Sequence, residues 1–348
     1  MKRRLIDTLA SVGKTPETWT SSDGSEVLVL PYGGRILGLF AARSEQNFFW
    51  IHRALDSVDT ARAFYQSAGW HNSGGDRTWL APEVDFFFPK FPELGVYWEP
   101  RELDPGDYHM RREGGGLALT NRFSVRLSRY RCAVDLVIGK SLEPALNPLR
   151  HLDPALSTQL GYAGYTLRTR LAFASGEAAA VQIGLWNLLQ LPHGGDLLIP
   201  TLSRATVKMY MGQIEGSDLS IADHLIRYKM RAPGKHKFGI QAPAAVGRVG
   251  YLHSSGEDSS LVVRNFSIDP SGEYVDVPWN ETDSPGSVIE ACNIDCNLGQ
   301  YSELEYHAPA IGGAGGKSSC EDVCQVWAFR GPTEAVLAAA RILISPDA

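Results

Sequence analysis

Hydrophobic and polar residues alternate along most of the chain, in short runs rich in β-branched and aromatic residues. The run from Gly164 to Phe173 shows this most clearly, since polar and apolar side chains take turns. Such alternation is typical of a strand with one solvated face. Similar runs recur from Glu26 to Phe329, and many end at glycine or proline. The pattern therefore predicts an all-β fold, a large antiparallel β-sandwich.

The two ends of the chain have a helical period instead. Apolar residues between positions 5 and 12 fall at the spacing of one helix face, and residues 333–344 are rich in alanine and leucine. We predict short helices at about residues 1–14 and 333–344. The sequence has no repeat and no linker-like segment, so we expect residues 1–348 to form a single domain.

Composition narrows the class of protein. The 348 residues are 44% hydrophobic and 21% charged, with a formal net charge of −6. This acidic balance argues against a nucleic-acid partner, which usually meets a basic surface. No apolar run approaches the roughly 18 residues of a membrane span, and the N-terminus lacks the apolar core of a signal peptide. We expect a cytoplasmic protein that binds no membrane.

Cofactor and metal motifs are not found in the sequence. It contains no phosphate-binding loop, no dinucleotide fingerprint and no H-E-x-x-H. Two C-x-x-x-C pairs, Cys292 with Cys296 and Cys320 with Cys324, are compatible with buried thiols, a zinc site or disulfides. Structural zinc sites more often use C-x-x-C, so buried thiols are favoured. We predict no metal and no cofactor.

One segment carries a family resemblance. Residues 74–83, GGDRTWLAPE, resemble the GG-x-R-x-W-x-A-P-E signature of an uncharacterised branch of the galactose mutarotase-like superfamily. Residues 33–36, 45–50 and 182–186 resemble further elements of that superfamily, in its order. The resemblance implies a twisted antiparallel supersandwich that holds a carbohydrate in a polar cleft. It also implies a general-base glutamate on a late strand.

Two glutamates near the end of the chain are the candidate catalytic carboxylates. Glu303 and Glu305 lie two residues apart in a strand-like run, so their side chains share a face. The resemblance implies that Glu305 is the base, from its spacing to Pro309, and Glu303 would raise its pKa. His307 would lie on the same face and contact substrate. The alternative is a solvated strand face with ordinary charges.

The signature segment supplies candidate substrate-binding residues. Arg77 offers a planar set of donors for sugar hydroxyls, and Trp79 offers a ring that can stack on a sugar. Glu83 could accept hydroxyl donors or pair with Arg77 or Arg35. A buried ion pair that fastens a loop explains the same residues equally well.

Histidine is the side chain best suited to donate a proton near pH 7. His193, in a glycine-rich turn after a strand, is the predicted acid, and His71 is a candidate substrate contact. The basic cluster at residues 235–237 reads either as a solvated turn or as a contact for an acidic sugar.

These features together predict a carbohydrate-binding protein whose partner is a small sugar. A mutarotase-like or epimerase-like enzyme is favoured. The alternatives are a binding protein without turnover, and a relative of polysaccharide lyases or glycoside hydrolases, which share the large sandwich. The sequence leaves the oligomeric state open.

Overall fold

The structure is a computed structural model that describes residues 1–281 and 284–348. It consists mainly of strands. In chain order these are β1 (Glu17–Thr20), β2 (Glu26–Leu30), β3 (Arg35–Phe40), β4 (Asp76–Ala81), β5 (His109–Glu113), β6 (Gly116–Arg126), β7 (Ala133–Pro144), β8 (Gly161–Phe173), β9 (Gln182–Pro192), β10 (Asp196–Pro200), β11 (Val207–Met211), β12 (Leu219–Ile221), β13 (Leu225–Lys229), β14 (Gly234–Ile240), β15 (Arg248–Ser255), β16 (Asp258–Phe266), β17 (Ile289–Cys296), β18 (Gly299–His307), β19 (Ile311–Gly312) and β20 (Ser319–Pro332). The α-helices are α1 (Lys2–Ser11), α2 (Val58–Gln66), α3 (Glu83–Phe86), α4 (Leu149–Leu152), α5 (Pro154–Ser157) and α6 (Thr333–Leu343).

In the described part of the chain, the strands form two ten-stranded sheets. Sheet 1 has the order β1-β2-β3-β4-β9-β18-β17-β14-β11, with β19 paired to β9. Sheet 2 has the order β12-β13-β10-β15-β16-β20-β8-β7-β6-β5. Neighbouring strands run antiparallel. The predicted all-β antiparallel sandwich is confirmed.

The main hydrophobic core lies between the sheets. Leu136, Ile138 and Leu167 from sheet 2 belong to one buried cluster with Leu185 and Leu189 from sheet 1. Successive strand residues point to opposite faces, so the alternation seen in the sequence supplies one apolar face per strand. Burial of this face contributes roughly 25 cal/mol for each Å² removed from water.

The terminal helices cover other apolar surfaces, and both predicted helices are confirmed. Val336 and Leu343 of α6 pack with Leu261 and Phe329 of sheet 2. Leu9 of α1 packs with residues of β2 and β3. In the part of the chain that the structure describes, no helix is both long and apolar enough to cross a bilayer.

One buried arginine ties the two sheets together. Arg264 of β16 reaches across the core, and its Nη2 lies 3.1 Å from Oδ1 of Asp76 on β4. Its Nη1 donates to the carbonyl oxygens of Leu304, at 3.1 Å, and Asn187, at 3.3 Å. Tyr165 of β8 also donates to Asp76, at 2.7 Å. These contacts fix β4, β9 and β18 relative to sheet 2.

Candidate functional site

A cavity of about 390 Å³ opens on the outer face of sheet 1. Asp76 faces the core, where Arg264 of sheet 2 contacts it. Because successive strand residues point to opposite faces, the next residue, Arg77, points to the outer face of sheet 1. Arg77 lines the cavity together with residues of β9, β18, β17 and β14. The centre of sheet 1 is therefore its floor.

Two adjacent cross-strand rows supply the polar side chains of this floor. Pairing aligns Arg77, Leu188, Glu305 and Glu290 in one row, and Gln190, Glu303, Cys292 and Lys237 in the next. The rows bring together residues that are more than 200 positions apart in sequence. Glu303 and Glu305 share one face of β18 at their centre.

Glu303 has a cationic partner. Its Oε1 lies 2.9 Å from Nη1 of Arg77 and accepts a hydrogen bond from Gln190 at 3.0 Å. Burial disfavours the charge of Arg77, but the nearby Glu303 outweighs it and raises the Arg77 pKa. The Arg77 guanidinium carbon lies 4.2 Å from the ring centroid of Trp79. The pair fixes the position of the Glu303 carboxyl group on the cavity floor.

Glu305 has a different environment. Its Oε2 accepts a hydrogen bond from Trp186 at 2.8 Å and lies 3.2 Å from Nζ of Lys237. Burial raises the pKa of Glu305 to about 8; Lys237 opposes that shift and Glu303 adds to it. One oxygen of Glu305 and one of Glu303 lie within 4.8 Å of each other. Burial therefore favours the protonated form of Glu305 beside its neighbour.

Lys237 is held from behind by a buried carboxylate. Its Nζ lies 2.7 Å from Oε2 of Glu290 and 4.3 Å from the Trp186 ring centroid. Burial disfavours the ammonium, but Glu290 and Glu305 outweigh it and raise the Lys237 pKa well above its usual value. Burial also disfavours the Glu290 charge, but Lys237 and His307 outweigh it and lower the Glu290 pKa. Lys237 is thus a fixed positive charge.

Glu83 closes one side of the cavity. Its Oε2 accepts a hydrogen bond from the Trp279 indole at 2.7 Å, and its Oε1 accepts one from the Tyr97 hydroxyl at 2.9 Å. Its backbone N–H donates to Asp276 at 2.6 Å. Glu83 therefore fastens two aromatic side chains over the cavity.

Comparison with known proteins identifies the family. A model described as a family of unknown function, DUF6786, matches residues 6–343. The chain belongs to the DUF6786 family. No curated protein sequence matches the chain.

Solved structures show what this DUF6786 fold resembles. A chain from Escherichia coli K12, provisionally assigned as an aldose 1-epimerase, superposes with a TM-score of 0.55 at 9% identity. That alignment covers 91% of this chain and 99% of the other. A galactose 1-epimerase from Lactobacillus acidophilus superposes with a TM-score of 0.43 at 8% identity, over 91% and 94% of the two chains. The first likeness shows a mutarotase-like sandwich.

The structure brings five predicted site residues together in this cavity of the DUF6786 chain. They are Arg77, Trp79, Glu83, Glu303 and Glu305. His307 lies just behind the floor, where its Nε2 is 3.3 Å from Glu290 and its ring stacks on Trp186. It can support the site but does not line it.

The other three predicted residues lie elsewhere. His193 lines a second cavity of about 720 Å³ with Trp50 and Asp295. His71 is buried, with its Nδ1 2.5 Å from the hydroxyl of Tyr32.

Arg35 supports the cavity wall from behind. It forms a buried ion pair with Asp104 at 2.8 Å. Asp104 in turn accepts hydrogen bonds from Trp70 at 2.9 Å and Trp79 at 3.0 Å, and both rings line the cavity. Arg35 thus orients Trp70 and Trp79 through Asp104.

Sequence reasoning did not identify Lys237, Glu290 or Trp186 as site residues. The sequence left the basic cluster at residues 235–237 open to two interpretations, a solvated turn or a contact for an acidic sugar. The cluster is part of β14, and Lys237 is only 2% exposed, so it is not a solvated turn. A lysine is almost never fully buried unless it is paired. Its partners Glu290 and Glu305 lie on strands formed much later in the chain. The spacing of Lys235 and Lys237 could have indicated this position. Residues two apart in a strand lie on the same face, and both lysines line the cavity.

Two groups of side chains, one behind the floor and one in it, could hold a metal ion. Asp276, Glu290 and His307 place donor atoms within 4.8 Å of one another, as do Cys292, Glu303 and Glu305. Lys237 contacts a carboxylate in each group, so a cation already compensates their charge. Within the described residues, all five cysteines are free thiols.

Proposed function

We propose that the cavity binds a sugar with a free anomeric carbon and interconverts its two anomers. The observation that carries this proposal is the pair formed by Glu303 and Glu305. Anomer exchange needs one group that accepts a proton and one that donates a proton beside the same carbon atom. Two neighbouring carboxyl groups in different environments provide that combination.

The proton steps balance within the pair. The Glu303 carboxylate takes the proton of the anomeric hydroxyl, and Glu305 gives its proton to the ring oxygen as the C1–O5 bond breaks. The sugar becomes an open-chain aldehyde, and rotation about C1–C2 turns its other face to the ring oxygen. On closure, Glu305 takes back the proton from the attacking O5 hydroxyl and Glu303 gives its proton to the carbonyl oxygen, which becomes the new anomeric hydroxyl. Both carboxyl groups thereby regain their starting protonation states. Both reacting oxygens are bonded to C1, so two groups within 4.8 Å of each other can serve them.

The two cations would stabilise the charge that moves. When Glu305 gives up its proton, the new carboxylate lies beside the Lys237 ammonium, which is already fixed by Glu290. Such preorganised charge needs no rearrangement during the reaction. Nη1 of Arg77 is paired with Glu303, but among the described residues its Nε is buried without a hydrogen-bond partner. This Nε–H donor is available to a sugar hydroxyl group, while Trp79 and Trp186 offer rings for stacking.

This proposal gives Glu305 the acid role, although the resemblance implied a base. The reason is its raised pKa of about 8, which leaves it mostly protonated at pH 7. His193 was predicted to be the acid, but it lines the other cavity. In this proposal Glu305 donates the proton instead.

The pH dependence tests the assignment of roles. Glu305 must carry its proton, and the protonated fraction falls as the pH rises through its pKa of about 8. The enzymatic rate of anomer exchange, extrapolated to zero buffer concentration, should therefore decline above about pH 8. A rate that instead rises through pH 8 would make ionised Glu305 the base and leave the acid to another group.

The function itself is tested by direct measurement of exchange. A thermal-shift screen of free sugars should give a stabilising ligand, and two-dimensional exchange NMR should then show its anomers interconverting faster with protein than without. A stabilising sugar whose anomers exchange at the uncatalysed rate would identify a carbohydrate-binding protein without turnover.

The arrangement of the carboxyl groups favours exchange over glycoside hydrolysis. Glycosidases place two carboxyl groups on either side of the bond that they cleave. Glu303 and Glu305 lie on one face of a single strand, β18, and so approach the sugar from the same side.

A further inference from the structure

We infer that the substrate is a sugar that carries a neutral apolar group, alkyl or aryl, and that this group binds at the cavity mouth. This inference rests on the proposed function for the polar floor. It adds a second binding region, the apolar rim, which we define as Leu94, Tyr97 and Leu298.

The cavity changes character from floor to mouth. The floor residues Glu303, Glu305 and Lys237 are between 2% and 5% exposed. Leu94 and Leu298 also line the cavity but are 39% and 41% exposed. A ligand that reaches from the floor to the mouth therefore meets charged groups first and aliphatic side chains last.

Further apolar side chains lie beside the rim. Val96 and Trp98 are 42% and 49% exposed and are close to Leu94 and Tyr97 in the chain. Exposed apolar residues are ordinary when they are scattered, but a contiguous group marks a binding surface. Four exposed large apolar residues fall within residues 94–98, and two of them, Leu94 and Tyr97, line the cavity.

The rim is held in place without a ligand. The Tyr97 hydroxyl donates to Glu83 at 2.9 Å, and its ring stacks on Phe87 with centroids 5.6 Å apart. The backbone N–H of Trp98 donates to the Phe87 carbonyl oxygen at 2.9 Å. A surface that is already ordered loses little entropy when it binds.

The charges near the mouth indicate that the apolar group is neutral. Lys235 and Glu99 both line the cavity and have opposite charges. Neither sign of charge on the ligand is favoured by this pair. Leucine side chains, in contrast, gain from contact with an alkyl or aryl group, because both apolar surfaces leave water.

The test uses matched ligand pairs that differ only in the apolar group. Isothermal titration calorimetry would compare the 6-O-acetyl with the 6-O-octanoyl esters of glucose and galactose, which keep the anomeric carbon free, all below the micelle concentration. At least one pair should show about tenfold tighter binding of the longer ligand, the gain expected when rim and chain bury apolar surface together.

The double variant Leu94→Ser/Leu298→Ser is the matched protein. Both positions are exposed, so the fold should persist, and the affinity for the shorter ligand should not change. The tenfold gain should disappear. Equal affinities within every pair, a gain that survives in the double variant, or no binding of any pair would overturn the inference. A wild-type dimer in light scattering that the double variant abolishes would assign the rim to a second copy of the chain and would also overturn it.

Failure of the proposed function gives a different result. If a 6-O-octanoyl hexose, whose anomeric carbon is free, binds tenfold more tightly but its anomers do not exchange, the apolar rim stands and the reaction does not. If exchange occurs and the pairs bind equally, the reaction stands and the rim does not.

Discussion

Replacing Glu305 with glutamine is expected to slow anomer exchange by at least about 10²-fold, the usual contribution of a positioned general acid or base. The amide keeps the shape of the side chain and can still accept the Trp186 hydrogen bond. It cannot give a proton to the ring oxygen. The rate would be measured by exchange NMR at pH 7 on a sugar that binds, with thermal unfolding to check that the variant is folded.

Two companion variants sharpen this prediction. Glu303→Gln should cause a comparable loss, and the double variant should lose little more than either single one, because the two groups act as a unit. His193→Ala is the matched control, since His193 lines the second cavity, and its rate should stay within about twofold of the wild type. Exchange that survives Glu305→Gln would remove Glu305 from the mechanism. A large loss in His193→Ala would return it to the role predicted from the sequence.

Part of the cavity floor could be predicted from the sequence. The two-residue spacing of Glu303 and Glu305 is enough to place both carboxyl groups on one strand face, and the structure has them there. Alternation also places Arg77 and Trp79 on one face of β4. These inferences need only the local geometry of a strand.

The partners of those residues could not be inferred in the same way. Lys237 meets Glu305 because β14 pairs with β17 and β17 pairs with β18. That order of strands depends on which apolar faces pack best in the whole sheet. It cannot be predicted from the local sequence of residues 235–237. The shift in the Glu305 pKa depends on the same tertiary contacts, so the acid role that we propose for Glu305 could not be inferred from the sequence either.

The fold was more accessible than the site. Alternating runs predicted the antiparallel sandwich, and helical spacing predicted the two terminal helices, because both patterns repeat over many residues. A single histidine has no such pattern. His193 sits in a turn after a strand, as predicted, but the end of β9 directs it to a different cavity.

A buried arginine beneath the floor should have the largest effect on stability. Arg264→Met is expected to lower the free energy of unfolding by about 3–5 kcal/mol, because it leaves Asp76 as an unpaired charge in the core. Asp76 is 0% exposed, and its remaining side-chain donor is the Tyr165 hydroxyl. Urea unfolding would measure the change.

The control for this variant is Arg168→Met on β8, whose side chain is 49% exposed and lies 3.8 Å from Glu143. An exposed pair of this kind contributes between zero and about 1 kcal/mol. Adding Asp76→Asn to Arg264→Met should recover part of the lost stability, because the second change removes the unpaired charge. A loss below about 1 kcal/mol for Arg264→Met, or no recovery in the double variant, would contradict this account.

The Arg264→Met variant should also affect the site, since Arg264 donates hydrogen bonds to the carbonyl oxygens of Asn187 and Leu304. Leu304 lies between Glu303 and Glu305, so a folded Arg264→Met protein should exchange anomers more slowly although no side chain of the floor has changed.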